Sequence, residues 1–227
     1  MEIFSYESIF DKEKQNELRN VFLALAKKGK QIEVGKNCEI ELSNESSIAI
    51  VVEGKLKQSL TNKEGLEKIL FYLQPGEIFG EVDYFGETKF NTITIAVVNS
   101  KISILEKKII EEQLTASPIL YRYFMKSIIR KLRIIEFQML NMTFNDSIGR
   151  ISNTLLRLAA QQGIKKDGKV IINFPLTQQE LANIIGCSRI TVTRTFKDLI
   201  SKGIISIKNK KIIIKNLKEL EKLDKSF

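Results

Sequence analysis

One stretch restricts the fold more than any other part of the chain: LTQQELANIIGCSRITVTRTFKDLI, residues 176–200. Thr177 stands three residues before Glu180, the T-x-x-E capping box that opens a helix. Leu181, Ile184 and Ile185 give that helix one apolar face. Gly186 supplies the left-handed turn that stops it, and Ser188 is placed to cap a second helix. In the second helix Val192, Phe196 and Leu199 recur at i, i+4 and i+7 and are expected to pack inward. Arg189, Ile190, Thr193 and Arg194 are left pointing outward. Two short helices around a glycine turn, the second with its early residues exposed, predict a helix-turn-helix. Lys202-Gly203 then leads into Ile204–Ile207, a Lys208–Lys210 tip and Lys211–Lys215, the pattern of a β-hairpin wing.

Charge agrees with this placement. The chain carries a net +9, and residues 148–227 hold 16 Lys and Arg against 6 Asp and Glu, whereas residues 1–147 are close to neutral. A concentrated basic region favours a polyanion, because each cation that neutralises a phosphate releases a counterion. Paired arginines at the start of a helix suit bidentate bonding to guanine O6 and N7. Arg189, Ile190, Thr193 and Arg194 are therefore the expected base contacts, with Ser188 and the wing-tip Lys210 expected against the DNA backbone.

Other functions are constrained by what is absent. The chain has no histidine, which removes Ser-His-Asp and Cys-His sites, the usual zinc sites and a His-ligated haem. No glycine-rich phosphate loop appears, so an enzyme is not expected, nor a metal site or cofactor. Cys38 and Cys187 lie far apart, with no disulfide framework or metal spacing between them. Cys38 reads as a core strand residue or, less simply, a redox-sensitive thiol; Cys187 reads as packing. The N-terminus has acidic residues and no long apolar core, and no stretch reaches bilayer-spanning length. A cytoplasmic protein without membrane contact is expected.

Upstream, residues 7–29 read as a helix ending at Gly29. Short β-type runs follow: Gln31–Val34, Cys38–Leu42, Ser47–Val52, Lys55–Leu60, Glu67–Leu73, Thr92–Val98 and Lys101–Leu105. Turn signals separate them, which predicts an antiparallel sandwich or barrel. After Pro118 a long helix is expected, with Met125, Ile128, Leu132, Ile135, Met139 and Met142 at alternating three- and four-residue intervals. That is coiled-coil spacing, so these residues form the expected seam of a homodimer. Arg122, Lys126, Arg130, Lys131 and Arg133 occupy its other face. A further helix is expected from Asp146 to Gln162, then a polar loop over Gly163–Gly168 and a strand over Lys169–Phe174.

Taken together, GEIFGE (residues 76–81), GCSRITVTR (residues 186–194), IVVEGKLKQSL and FNDSIGRISNTLLRLA make nearly the whole chain resemble the Crp/Fnr family. The resemblance implies an α+β architecture: an N-terminal cyclic-nucleotide-binding-like β-roll over residues 1–114, a dimerisation helix over 115–145, and a winged helix-turn-helix over 146–227. It implies a homodimer on a palindromic operator in double-stranded DNA. It also implies that Arg189 and Arg194 read bases, that Thr177 and Gln179 touch the DNA backbone, and that RNA polymerase is met through residues 161–169. Ile190 departs from the family's usual glutamate, which implies a different preferred base pair there.

The effector is where this chain leaves the pattern. Family members that bind cyclic AMP hold its phosphate with an arginine and a serine; those places hold Asn91 and Thr92. The places that touch the adenine hold Ile135 and Glu136. Cyclic AMP is therefore not the expected ligand. The cysteine cluster of the family's oxygen sensor and the haem ligand of its carbon monoxide sensor are also missing. Phe79, Gly80, Glu81, Tyr84, Asn91, Thr92 and Ile135 outline a possible pocket for another metabolite, and a metabolite- or redox-sensing regulator stands as the alternative. A pocket filled by the chain's own side chains is equally compatible with these residues.

Overall fold

The computed structural model describes residues 11–42, 46–88, 92–172 and 176–225. The chain divides into two compact units, one formed by Glu13–Ile135 and the other carrying Glu136–Phe227.

In the first unit, α1 (Lys12–Ala26) precedes β1 (Lys30–Val34), β2 (Ser47–Glu53), β3 (Leu56–Thr61), β4 (Glu67–Leu73) and β5 (Ile78–Phe79). Then come α2 (Glu81–Gly86), β6 (Thr92–Ala96), β7 (Ser100–Glu106), α3 (Lys107–Ala116) and the start of α4 (Ile119–Phe144). Two antiparallel sheets result, in the orders β1-β7-β2-β5 and β4-β3-β6. The alternating apolar runs and their turns close into the expected roll. β2 is its centre: Ser47 to Val51 are all buried, as in a strand covered on both faces. Ile48, Ile50, Ile78 and Leu105 pack with Leu18, Phe22 and Leu25 of α1, Ile110 and Leu114 of α3, and Leu120 and Phe124 of α4. The rings of Phe22 and Phe124 lie 5.2 Å apart.

The segment Cys38–Leu42 is not a regular strand. Asn37 takes a left-handed φ of 66°, and the chain then meets β6 through one bridge, Glu39 to Ile95. Cys38 is exposed, which corrects its reading as a core residue. Sequence reading missed helices α2 and α3: α2 spans only six residues, whereas α3 offered the i, i+4 pair Ile110 and Leu114, both buried, that could have announced it.

The second unit holds the end of α4, then α5 (Ser147–Gln162), β8 (Gly163–Lys166), β9 (Lys169–Ile172), α6 (Gln178–Ile185), α7 (Arg189–Ser201), β10 (Ile205–Lys208), β11 (Lys211–Ile214) and α8 (Leu217–Lys222). Asp146 caps α5 by accepting from the Gly149 amide at 2.9 Å. The expected Gly163–Gly168 loop is in fact a strand and a tight turn. Asp167 and Gly168 both have positive φ, 50° and 69°, as a two-residue hairpin turn requires. The predicted end of the next strand, Asn173 and Phe174, lies outside the described residues. The sheet order is β10-β11-β9-β8. Ile151, Leu155 and Leu158 of α5 are buried with Leu181, Ile185, Val192, Phe196, Leu199, Ile212 and Leu220.

A polar clasp closes this unit. The Asn145 side-chain amide donates to Asp224 Oδ1 and to Asn141 Oδ1, each at 2.9 Å. The Asn153 amide donates to Asp224 Oδ2 at 2.9 Å, and the Lys225 backbone N–H donates to Asn145 Oδ1 at 2.7 Å. Among the described residues, no helix is long and apolar enough to cross a membrane.

Candidate nucleic-acid interface and roll cavity

The helix-turn-helix forms as its local signals dictate. Thr177 Oγ1 accepts from the Glu180 N–H at 3.1 Å, and Glu180 Oε2 accepts from the Thr177 N–H at 2.8 Å. Gly186 takes φ 76° and its N–H returns to the Ala182 carbonyl at 2.8 Å, ending α6. Ser188 Oγ accepts from the Thr191 N–H at 3.1 Å and so starts α7. Val192, Thr195, Phe196 and Leu199 turn inward. Arg189, Ile190 and Arg194 are exposed and Thr193 is half-buried. At 3.6 residues per turn these four fall within an arc of about 140°, opposite the buried side chains.

Ile190 is 66% exposed, a large β-branched side chain whose apolar surface meets water. Thr193 is partly engaged, donating to Gln178 Oε1 at 2.6 Å, which braces α7 against α6. Thr177, Gln179, Ser188 and Lys210 are all exposed. The Gln179 amide donates to Asn183 Oδ1 at 2.9 Å. Lys210 sits at the wing tip, where it and Asn209 adopt positive φ, 61° and 51°.

In the roll, the structure gathers Phe79, Gly80, Glu81, Thr92 and Ile135 around a cavity of about 420 Å³. Tyr84 is not part of its lining; its hydroxyl bonds Glu111. Burial raises the Tyr84 phenol, and the Glu111 carboxylate raises it further. Asn91 lies outside the described residues. Gly80 has φ 86°, and a Cβ there would meet Leu42 Cδ1 at 2.5 Å and the Ser47 carbonyl at 2.8 Å, so this position requires glycine.

Two groups on α4 depart from the expected charged outer face. Lys131 enters the cavity wall, where its Nζ meets Glu81 Oε1 at 2.6 Å and the Ile78 carbonyl at 2.9 Å. Glu81 is fully buried. Arg130 meets the buried Glu77 at 2.7 Å, and Arg19 meets the same oxygen at 2.9 Å. Burial alone would raise the Glu77 carboxyl, but Arg130 and Arg19 beside it hold it below the usual value. The signal available in the sequence was the second glutamate of G-E-I-F-G-E, which needs a cation if it is buried.

Along α4, Met125, Leu132, Met139 and Met142 are exposed. Ile128 and Ile135 are half-buried and contribute to the cavity wall.

Residues 149–223 match the family described as a Crp-like helix-turn-helix domain, and residues 41–117 match the cyclic nucleotide-binding domain. The chain is 31% identical over 172 residues to the cAMP-activated global transcriptional regulator CRP of Haemophilus influenzae, covering 74% of this chain and 75% of that protein. The chain belongs to the Crp/Fnr family. As a Crp/Fnr protein it is a transcription regulator with an effector-binding-type roll and a helix-turn-helix DNA-binding domain. It is also 25% identical over 171 residues to the CRP-like cAMP-activated regulator of Mycobacterium tuberculosis, covering 75% of this chain and 76% of that one. Its fold matches other Crp/Fnr structures: a CooA mutant from Carboxydothermus hydrogenoformans has a TM-score of 0.74 at 19% identity, covering 88% of this chain and 89% of that one. The c-di-GMP responsive regulator CLP of Xanthomonas campestris has a TM-score of 0.70 at 19% identity, covering 88% and 98%.

Proposed function

We propose that this Crp/Fnr regulator works as a homodimer that reads a palindromic operator, with α7 of each protomer in a major groove. The observation that carries this reading is the exposed arc of α7, with Arg189 and Arg194 free of the core and Ile190 bare. In this reading Arg189, Ile190, Thr193 and Arg194 meet base edges, while Thr177, Gln179, Ser188 and Lys210 meet the DNA backbone. The functional division is a roll over residues 1–114, a dimerisation helix over 115–145 and a DNA-binding domain over 146–227. Met125, Leu132, Met139 and Met142 supply the apolar seam, since four large side chains on one exposed helix face are costly in water. Two-fold symmetry then sets half-sites about one helical turn apart, roughly 34 Å. The β8–β9 hairpin, within residues 161–169, is the surface for RNA polymerase, and the protein works in the cytoplasm.

The curated relatives are cAMP-activated by name. We read this chain as departing from them: Asn91 replaces the phosphate-binding arginine, and carboxylates prevail over cations in the described wall of the cavity. A second reading, a regulator switched by another metabolite, is favoured by the cavity of about 420 Å³, a size that suits a small ligand.

The deciding experiment selects bound duplexes from a random pool and measures them by fluorescence anisotropy, with and without cAMP. A two-fold symmetric site and unchanged affinity with cAMP are expected. Failure to bind any duplex at low salt would end the proposal.

A further inference from the structure

Four carboxylates, Glu39, Glu41, Glu81 and Asp83, contribute to the roll cavity, against the single ammonium of Lys131 among its described lining residues. That ammonium is already committed to Glu81 and to the Ile78 carbonyl. Glu81 is 0% exposed and is satisfied on one oxygen only; its Oε2 is buried with no hydrogen-bond partner. A buried carboxylate oxygen left unpaired is expensive and calls for a donor. Aromatic walls complete the site. Phe71 and Phe79 line it, and the Lys131 ammonium already lies 5.6 Å from the Phe71 ring centroid, within cation–π range.

We propose that the cavity takes a small organic ammonium, an amine with an apolar or aromatic body, in place of a nucleotide phosphate. Its N–H groups complete the pairing of Glu81, and its hydrocarbon part lies against Phe71, Phe79 and Ile135. The cavity of about 420 Å³ accommodates a molecule of that size. An anionic ligand would meet the field of the carboxylates with no uncommitted cation in the described wall to offset it. Because Lys131 and the ligand seek the same carboxylate, the chain's own ammonium acts as a competitor held in the site. This inference rests on the reading of the roll as the effector-binding half of the regulator.

Isothermal titration of the full chain uses tyramine, its near-isosteric anion 4-hydroxyphenylacetate, and cAMP. Tyramine is expected to bind at least about tenfold tighter than either anion. Lys131→Met, which removes the competitor and keeps the side chain's bulk, is expected to tighten tyramine binding about tenfold. Glu81→Gln is expected to abolish it, with circular dichroism confirming that the variant is folded. Binding of either anion as tight as tyramine overturns the proposal. So does tyramine binding that neither variant changes, or none in the wild type and in Lys131→Met. Anisotropy with the selected duplex, run on the same samples, separates the two readings. DNA binding without tyramine binding rejects only the ligand class, and tyramine binding without DNA binding rejects only the DNA interface.

Discussion

In the proposed reading Arg189 and Arg194 differ from the other basic side chains of the second unit in meeting base edges rather than phosphates. Replacing either by Ala is expected to cost about 1–3 kcal/mol of operator binding and to relax preference at one base pair. Lys210→Ala is expected instead to weaken all duplexes alike and to shallow the salt dependence by about one counterion. Anisotropy on matched and mismatched duplexes distinguishes the two effects. An Ile190→Glu protein is expected to move its preference toward a cytosine at the contacted step, since a carboxylate accepts from N4; an unchanged selection profile would rule out direct contact.

The buried ionic group of the roll gives pH predictions of opposite sign. Glu77 is held below its usual value, so its stabilisation is present above the ordinary carboxylate range and is lost as the medium turns acid. Glu77→Gln leaves Arg19 and Arg130 without their shared anion and is expected to destabilise the protein by roughly 3 kcal/mol in urea unfolding. Lys55 behaves the other way. Burial lowers it from 10.5 to about 8, with Glu77 opposing that shift and Arg19 adding to it. Its charged form penalises the folded state at neutral pH, and the penalty fades as pH rises from about 8 toward 10.5. Lys55→Met is expected to flatten that rise in the urea midpoint.

Among the elements, α4 carries the sharpest expectation. Leu132 is 53% exposed and Met139 64%. Leu132→Asp is expected to give a monomer in light scattering while the circular dichroism stays native; a monomeric wild type would refute the seam. In α6, Thr177→Ala removes one half of the capping box and is expected to cost about 1 kcal/mol. These elements also show what was legible in the sequence. The helix-turn-helix could be read because its caps, glycine and apolar spacing lie within 25 residues of one another and act locally. β2 and β7 could be read from β-branched runs. Lys131 could not, because the partner that turns it inward, Glu81, is 50 residues away and its burial depends on the closed roll. For the same reason Ile128 read as seam while the fold also sets it in the cavity wall. Two residues, Ile78–Phe79, were too few to announce β5, which exists only because β2 offers an edge to pair with.

For the molecule as a whole, the basic balance of residues 148–227 predicts binding that falls on the order of a hundredfold or more between 50 and 200 mM salt. A flat salt response would mean that phosphates contribute little.

The clasp at Asn145 has a topological consequence. It holds Asp224 and Lys225 beside Asn145 and Asp146, so this stretch begins and finishes at one spot. For residues 145–225 taken by themselves circular permutation follows: a short peptide can splice Lys225 to Asn145, with new termini opened at the exposed Asp167-Gly168 turn, and the rearranged order should keep the pairing of Asn145 with Asp224 and Lys225.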